Sequence, residues 1–427
     1  MPTTLRDPNR TSGSRASPFV PNIRPTHLEL EAKETPPNRD IYPCLNANGK
    51  MRSLLSVIPQ VLEVESQDAL GIRMERGRLA TVYQIDPLQD PRWAELLGRH
   101  PEASTFHTPG WLEALRRTYG YEPFVLTTAA PGEEMKNGIV CCLVRSWLTG
   151  DRIVSLPFAD HCQPLVDSPE SLQVLLAALR EEQGRAKWKY IELRPLASNP
   201  HLEEPASFGK SAEFYFHILD LRPDLDSLYR NLHKSCVQRK IQRAEREHLV
   251  YEVGCSEALL VKFYHLLLLT RRRHQLPPQP IGWFRNLIDC LGDKAKMHMV
   301  SKDGHPIASI LTLFFKNTLV YKYGCSDARF HNLGGMSLLF WKTIQEGKEL
   351  GAQEFDLGRS ETDNPGLVAS KGHLGAACRT LNYYRYPPRM SANSASGWKM
   401  RIIRNAVGWL PDSLLTAAGR LLYKHVG

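Results

Sequence analysis

Hydrophobic and polar positions change period many times between Ala80 and Tyr386, and each change marks an element. Ala80–Asp86, Glu122–Ala129, Gly138–Trp147, Arg152–Leu156 and Tyr190–Arg194 are short alternating or apolar runs, as strands require. Helical periods over Pro91–Gly98, Trp111–Tyr119 and Ser171–Arg180 separate them. Thr108-Pro109 supplies an N-cap and a first-turn proline for the second of these helices. From Phe214 the order repeats. Strand Phe214–Leu219 leads to a long helix, Leu225–His248, capped by Asp224 or Asp226. Strand Leu249–Val253 and helices Ala258–Arg273 and Trp283–Leu291 follow. Met297–Val300, Pro306–Phe315 and Thr318–Tyr323 read as a meander around the turns Asp303-Gly304 and Lys316-Asn317. Helix Met336–Leu350 stops at Gly351. Then come strand Glu354–Leu357, a polar loop carrying Lys371, and a last strand, Leu381–Tyr386, before Pro387-Pro388. This pattern predicts a mixed-sheet α/β protein made of two units of similar design, although no residue-level repeat is visible.

The ends differ in composition. Residues up to about Lys50 are rich in Pro, Asn, Arg, Thr and Ser without periodicity, so 1–78 is expected to be a disordered or poorly ordered extension. The end of the chain, 391–427, reads as a basic tail with two amphipathic helices split at Pro411. A basic amphipathic helix with Trp409 suits an anionic membrane surface, a partner, or packing on the protein itself. Composition is that of a globular protein, with 42% hydrophobic and 23% charged residues, and the net charge of +9 favours anionic partners. There are nine cysteines but no C-x-x-C pair, which fits a reducing compartment without a disulfide framework. Fifteen histidines form no H-x-x-x-H or H-E-x-x-H pair, so no metal site is expected. No G-x-S-x-G elbow argues against a serine hydrolase. No secretory h-region and no apolar run near 18 residues are visible, so a cytoplasmic location is expected.

The chemistry concentrates in Tyr321–Ala376. An aromatic strand runs into the turn Asn332-Leu-Gly334-Gly335-Met-Ser337, which opens a helix. Such a turn offers backbone N–H groups to an anion, or is merely a glycine turn into a helix. Lys371 lies beyond the next strand; it suits a cleft cation beside a developing oxyanion or a leaving phosphate, or a solvated loop position. Tyr323 is placed to donate a hydrogen bond or to pack in the core. Asp356 ends a strand, as a proton acceptor or a turn cap. Arg359 suits a carboxylate or phosphate ligand, or the plain surface. The basic stretch holding Arg230, Lys234, Arg239, Lys240, Arg243 and Arg246 suits anionic substrate or RNA, but Glu245 and Glu247 interrupt it, as in a solvated face.

Several of these pieces together resemble the GNAT-fold acyltransferases of the Fem-like superfamily, related to the aminoacyltransferases of peptidoglycan bridges. The pieces are YKYGCS at Tyr321–Ser326, the helix, Phe355-Asp-Leu-Gly358, and Gly366-Leu367 followed by Lys371-Gly-His-Leu-Gly375. Phe106, Trp111 and Tyr121 resemble the family's N-terminal segment. Cys325, Ser370 and Leu374 depart from the usual Gly, Phe and Phe. The resemblance implies two tandem GNAT-like domains, 79–205 and 206–378, with an interdomain cleft. It also implies that a strand in 379–390 returns to the first domain. It implies transfer of an acyl group to an amine on a cell-envelope or polysaccharide precursor, with acyl-CoA as donor. Asn332, Gly334, Gly335 and Ser337 would hold the donor pyrophosphate, and Lys371, Tyr323 and Asp356 would serve catalysis. Arg116, Arg359 and Arg239 would bind substrate. Two alternatives stay open: an aminoacyl-tRNA donor, and a non-catalytic scaffold in polysaccharide assembly. A small or lipid-linked acceptor would suit peripheral contact of the tail with the inner membrane face.

Overall fold

The computed structural model describes residues 81–197, 208–388 and 411–426, which lie within the compact unit that runs from Ile58 onward. The extension expected over 1–78 and the tail helix before Pro411 lie outside the described residues. The first half of the chain supplies β1 (Tyr83–Ile85), α1 (Pro91–Arg99), α2 (Pro109–Tyr119), β2 (Glu122–Thr127), β3 (Ile139–Val144), β4 (Arg152–Val154), α3 (Pro169–Ala186) and β5 (Ile191–Leu193). The second half begins with β6 (Gly209–Asp220), α4 (Leu225–Asn231), α5 (Arg239–Arg246), β7 (Val250–Gly254), α6 (Glu257–Arg273) and α7 (Ile281–Leu291). It continues with β8 (Ala295–Lys302), β9 (His305–Phe315), β10 (Thr318–Ser326), α8 (Gly335–Glu349), β11 (Glu354–Glu361), α9 (Pro365–Gly372), β12 (Ala377–Tyr386) and α10 (Asp412–Val426).

All twelve strands join one sheet, in the order β1-β2-β3-β4-β5-β12-β6-β11-β10-β9-β8-β7. Read inward from either edge, the two halves follow the same plan. Four antiparallel strands lead to one parallel pair, β4–β5 or β10–β11, whose crossover contains a helix, α3 or α8. Each plan is completed by an antiparallel strand, β12 beside β5 and β6 beside β11. The halves meet where β12 pairs with β6 from Ala377↔Ile218 to Arg385↔Gly209.

Local signals explain most elements. The Thr108 hydroxyl accepts from the Trp111 amide at 3.4 Å, Pro109 occupies the first turn, and Gly120 ends α2 in the left-handed region. The buried face of α2, Trp111, Leu112, Ala114 and Leu115, belongs to the same core as Phe263, Leu266 and Leu267 of α6 and Trp283 of α7. Burying each such side chain contributes about 1.5–3 kcal/mol, which ties the helices of the two halves together.

Two expectations need correction. The long helix expected over Leu225–His248 is broken into α4, a π-helical turn at Lys234–Gln238, and α5. Leu232 and His233 are not helical, with ψ of 138° and 123°. The reason is tertiary: the His233 amide donates to the His373 carbonyl at 2.8 Å, and Gln238 Nε2 donates to the freed Leu232 carbonyl at 2.8 Å. The polar loop expected around Lys371 is instead helix α9, started by Asn364, whose Oδ1 accepts from the Leu367 amide at 3.1 Å, and by Pro365 in the first turn. Within the tail, α10 packs on the body. Leu415 is fully buried, Tyr121 donates to the Tyr423 carbonyl at 2.7 Å, and Arg152 donates to the His425 carbonyl at 2.8 Å. Among the described residues, no helix is long and apolar enough to cross a membrane.

Candidate active site

An irregular segment, Ser155–Leu165, leaves β4 and runs through the interior, with Phe158 in the left-handed region at φ 60°. Connections usually stay on the surface because buried backbone groups need partners. Here the partners are supplied. The Cys162 amide donates to the Arg194 carbonyl at 2.6 Å, and Arg194 Nη1 donates to the carbonyls of Leu156 at 2.9 Å and Ala159 at 3.2 Å. Tyr383 of β12 donates its hydroxyl to the Asp160 carbonyl at 2.6 Å. The segment is thereby pressed against β10 and β11 of the second half.

That contact assembles a buried polar cluster. His161 Nε2 donates to Asp356 Oδ2 at 2.9 Å, and Asp356 Oδ1 accepts from the Gly358 amide at 2.7 Å. The carboxylate therefore fixes the tautomer: Nε2 carries the proton and Nδ1 keeps a lone pair. Nδ1 is buried and has no hydrogen-bond partner, while the ring lies edge-on to Phe106 and Phe216. Beside it, Lys322 Nζ donates to Asp160 Oδ2 at 3.1 Å within an aromatic box of Phe106, Trp111 and Tyr323. Burial alone would raise the Asp160 carboxyl, but Lys322 and Arg359 outweigh it and hold it below its usual range. Arg359 lies flat over the Phe214 ring at 4.1 Å. Gly358 is in the left-handed region at φ 72°, and a Cβ there would press on the Asp160 carboxylate at 3.0 Å. Glycine thus lets β11 bulge toward the segment from the first half.

Lys371 is the buried residue of α9, a helix whose other side chains are largely exposed. A surface helix normally buries apolar residues, so a buried lysine is unusual there. Its ammonium donates to the carbonyls of Gly358 at 3.0 Å and Arg359 at 2.8 Å, which uses two of its three N–H bonds. Burial pushes it down to about 8, against the opposing pull of Asp160 and Asp356 and with a further push from Lys322. His217 of β6 is fully buried beside Lys371 and the Gly358 backbone, and burial and Lys371 lower its imidazole.

The parallel strands part at this cluster. Pairing of β10 with β11 runs from Thr318↔Glu354 to Val320↔Asp356 and ends there, although β10 continues to Ser326 and β11 to Glu361. A notch opens between them, with Asp356 at its apex. Past the notch, a 3₁₀ turn at Ala328–Leu333 leads to Gly334, at φ 81°, and into α8 without a side-chain cap. A Cβ on Gly334 would overlap the Lys240 carbonyl of α5, so this glycine serves a close backbone approach as well as the turn. Asn332 is exposed, Gly335 is buried against Ile307 and Ala308, and Ser337 is half-buried in the first turn of α8.

The sequence-derived residues therefore divide. Lys371, Asp356 and Arg359 come together in the cluster. Tyr323 faces the aromatic core, where its oxygen accepts from Trp283 Nε1 at 2.8 Å. Arg116 pairs with Glu113 at 2.6 Å on the outer face of α2, and Arg239 is exposed at the start of α5. Asp160, His161, Lys322 and His217 escaped the sequence reading. The signal available was the polar pair Asp160-His161 inside a long apolar stretch, Ile153–Val166.

Residues 233–364 match the model of the Acetyltransferase (GNAT) domain family. The crystal structure of FemX superposes with a TM-score of 0.58 at 14% identity, over 69% of this chain and 95% of FemX. A tandem GNAT protein from the clavulanic acid biosynthesis pathway matches with a TM-score of 0.46 at 14% identity, over 71% of this chain and 97% of its own. L-PGS from Bacillus licheniformis does so with 0.46 at 14%, over 75% and 98%. No curated protein matches the sequence. Residues 233–364 thus match a GNAT acetyltransferase domain, in a chain whose fold is similar to that of FemX.

Proposed function

We propose that this protein is an N-acyltransferase that moves an acyl group from acyl-CoA to an amine on a cell-envelope or polysaccharide precursor. The carrying observation is the His161–Asp356 pair at the apex of the β10–β11 notch, with a buried imidazole Nδ1 that has no hydrogen-bond partner and with the Lys371 ammonium in the field of the same carboxylate. The amine nitrogen attacks the thioester carbonyl carbon, and its proton passes to His161 Nδ1. Asp356 stabilises the resulting imidazolium through Nε2. The unused N–H of Lys371 faces the negative charge that develops on the carbonyl oxygen. The C–S bond then breaks, and the thiolate of CoA leaves with a proton drawn back through His161 or from water. The uncapped start of α8 suits the donor pyrophosphate, near the cations Arg273 and Lys240. Exposed Arg359 atoms over Phe214 suit an anionic group of the acceptor.

A second reading, aminoacyl transfer from aminoacyl-tRNA, is favoured by the exposed cations Arg239, Lys240, Arg243 and Arg246 on α5. Thermal melts with acetyl-CoA and with tRNA separate the two. Under the first reading, acetyl-CoA at 100 times its Kd stabilises the fold by about 2.7 kcal/mol, and tRNA does not. A response to tRNA alone supports the second, and no response to either overturns both in favour of a scaffold. The tail's membrane role rests on Leu414 and Leu421 of α10 and on Trp147, which are 54%, 60% and 82% exposed. Sedimentation with anionic vesicles that leaves the protein in the supernatant would remove it.

A further inference from the structure

The geometry points to a transition-metal site, of the zinc type, formed by His233, Cys236 and His373 on the outer side of the second half. Sequence spacing does not reveal it, because only His233-x-x-Cys236 is local, while His373 arrives from the end of α9. One ligand atom from each residue lies within 4.8 Å of the others, and this is the group of such residues found among the described residues.

The site is built by backbone structure rather than by side chains meeting by chance. Breaking the helix at Leu232 lets the His233 amide reach the His373 carbonyl at 2.8 Å, which sets the two imidazole rings 4.4 Å apart. The π-helical turn that follows brings Cys236 back beneath His233: its amide donates to His233 Nδ1 at 3.2 Å. That Nδ1 lone pair, which also lies 3.4 Å from the Ser235 hydroxyl, is the one an ion would take, so binding exchanges these two local hydrogen bonds for a metal bond and leaves Nε2–H intact. Tetrahedral Zn²⁺ with bonds of about 2.0–2.3 Å needs ligand atoms roughly 3.3–3.7 Å apart. The His233 ring is exposed and the Cys236 and His373 side chains are half-buried, which leaves them room to turn toward a common ion. Two imidazoles and a thiolate suit Zn²⁺ and its soft neighbours, while Mg²⁺ and Ca²⁺, which want oxygen, find none in this set. Three protein ligands leave a fourth position, open here to solvent or to an anionic group of a ligand.

The ion would join two segments that otherwise share few fixed points. His373 follows Lys371 and Gly372 at the end of α9, and Cys236 belongs to the turn leading into α5. Metal binding would therefore pin the end of the helix that inserts Lys371 under the β11 bulge. This inference stands whether or not the chain is an acyltransferase, because its first readout is binding.

The test uses the full chain, stripped with chelator and then titrated with Zn²⁺ in the presence of a weak competing chelator. One ion per chain is expected, with affinity lowered at least about 10-fold in Cys236→Ser, His233→Ala and His373→Ala. Replacement by Co²⁺ should give a thiolate charge-transfer band that Cys236→Ser removes. The backbone bond between residues 233 and 373 survives in every variant, and circular dichroism checks the fold. Zn²⁺ bound equally well by Cys236→Ser would assign it to the exposed Cys255 and Cys378 and overturn the site. A wild-type protein that takes up no Zn²⁺ would overturn it as well.

Discussion

The two halves of the sheet share a strand plan but treat their parallel pairs in opposite ways. In the first half, the end of the β4–β5 pair is sealed. Arg194 and Arg385 close on Glu192 at 2.9 and 3.0 Å, and Arg194 also takes up the backbone of the segment that follows β4. In the second half, β10 and β11 part after Val320↔Asp356, and the gap is lined by Asp356, His161 and Lys371. One half is completed with ion pairs that satisfy each other. The other is completed with groups that keep unused valence, a bare Nδ1 and a spare N–H. Duplicated architecture thus gives one open notch, and the first half acts as the donor of a wall.

The strongest way to break this comparison is Asp356→Asn. An amide at 356 can donate to His161 Nε2 and flip the imidazole so that Nδ1 carries the proton. Acyl transfer should fall about 10²–10⁴-fold with little change in melting temperature. An unchanged kcat would show that the pair only packs. The matching change in the first half, Arg194→Met, should act on stability instead. It leaves Glu192 partly uncompensated in the interior and should cost about 3–5 kcal/mol in urea unfolding. A stable variant that loses activity would reverse the roles of the two halves.

Acid sharpens the comparison, because each half holds a buried neutral histidine. Burial lowers His107 in the first half and His298 in the second to about 4, from an ordinary 6.5. With the folded value depressed, the unfolded chain binds the proton first as pH falls. Stability is therefore complete above pH 6.5 and is lost toward pH 4, by about 3 kcal/mol for each ring. His107→Gln and His298→Gln should each flatten that slope; two separate transitions would show that the halves unfold independently. The smallest expected effect is Gly334→Ala, about 2 kcal/mol from the left-handed backbone and the contact with Lys240. It should weaken donor binding without changing the His161 chemistry. A fully stable variant would show that the turn can relax.

Much of this fold was legible because its cues are local. Thr108-Pro109 and the glycine at 351 punctuate elements through backbone preferences that any reader of the chain can apply, whereas Asn364-Pro365, an equally local cue, starts a helix where a polar loop was expected. The break at Leu232–His233 was not legible, since nothing nearby forbids helix there and its cause is a carbonyl at His373. The site was half legible for the same reason. Lys371 and Asp356 sit in a recognisable order along the second half. His161 reaches Asp356 across 195 positions, and its role depends on a segment that would read as an ordinary loop. Pattern finds residues whose partners are close in sequence, and reactive clusters at a seam between repeats draw partners from far apart.

The place of β12 bears on how the protein is made. β5 pairs with β4 on one side and obtains its second neighbour only from Tyr384–Tyr386 of β12, which follows the whole second half. A ribosome that has delivered the whole first half leaves β5 with an open edge for as long as the second half is being synthesised. Such an edge invites pairing with another chain. A first half cut out of the chain would therefore carry that open edge permanently, and the nascent protein covers it only when β12 arrives.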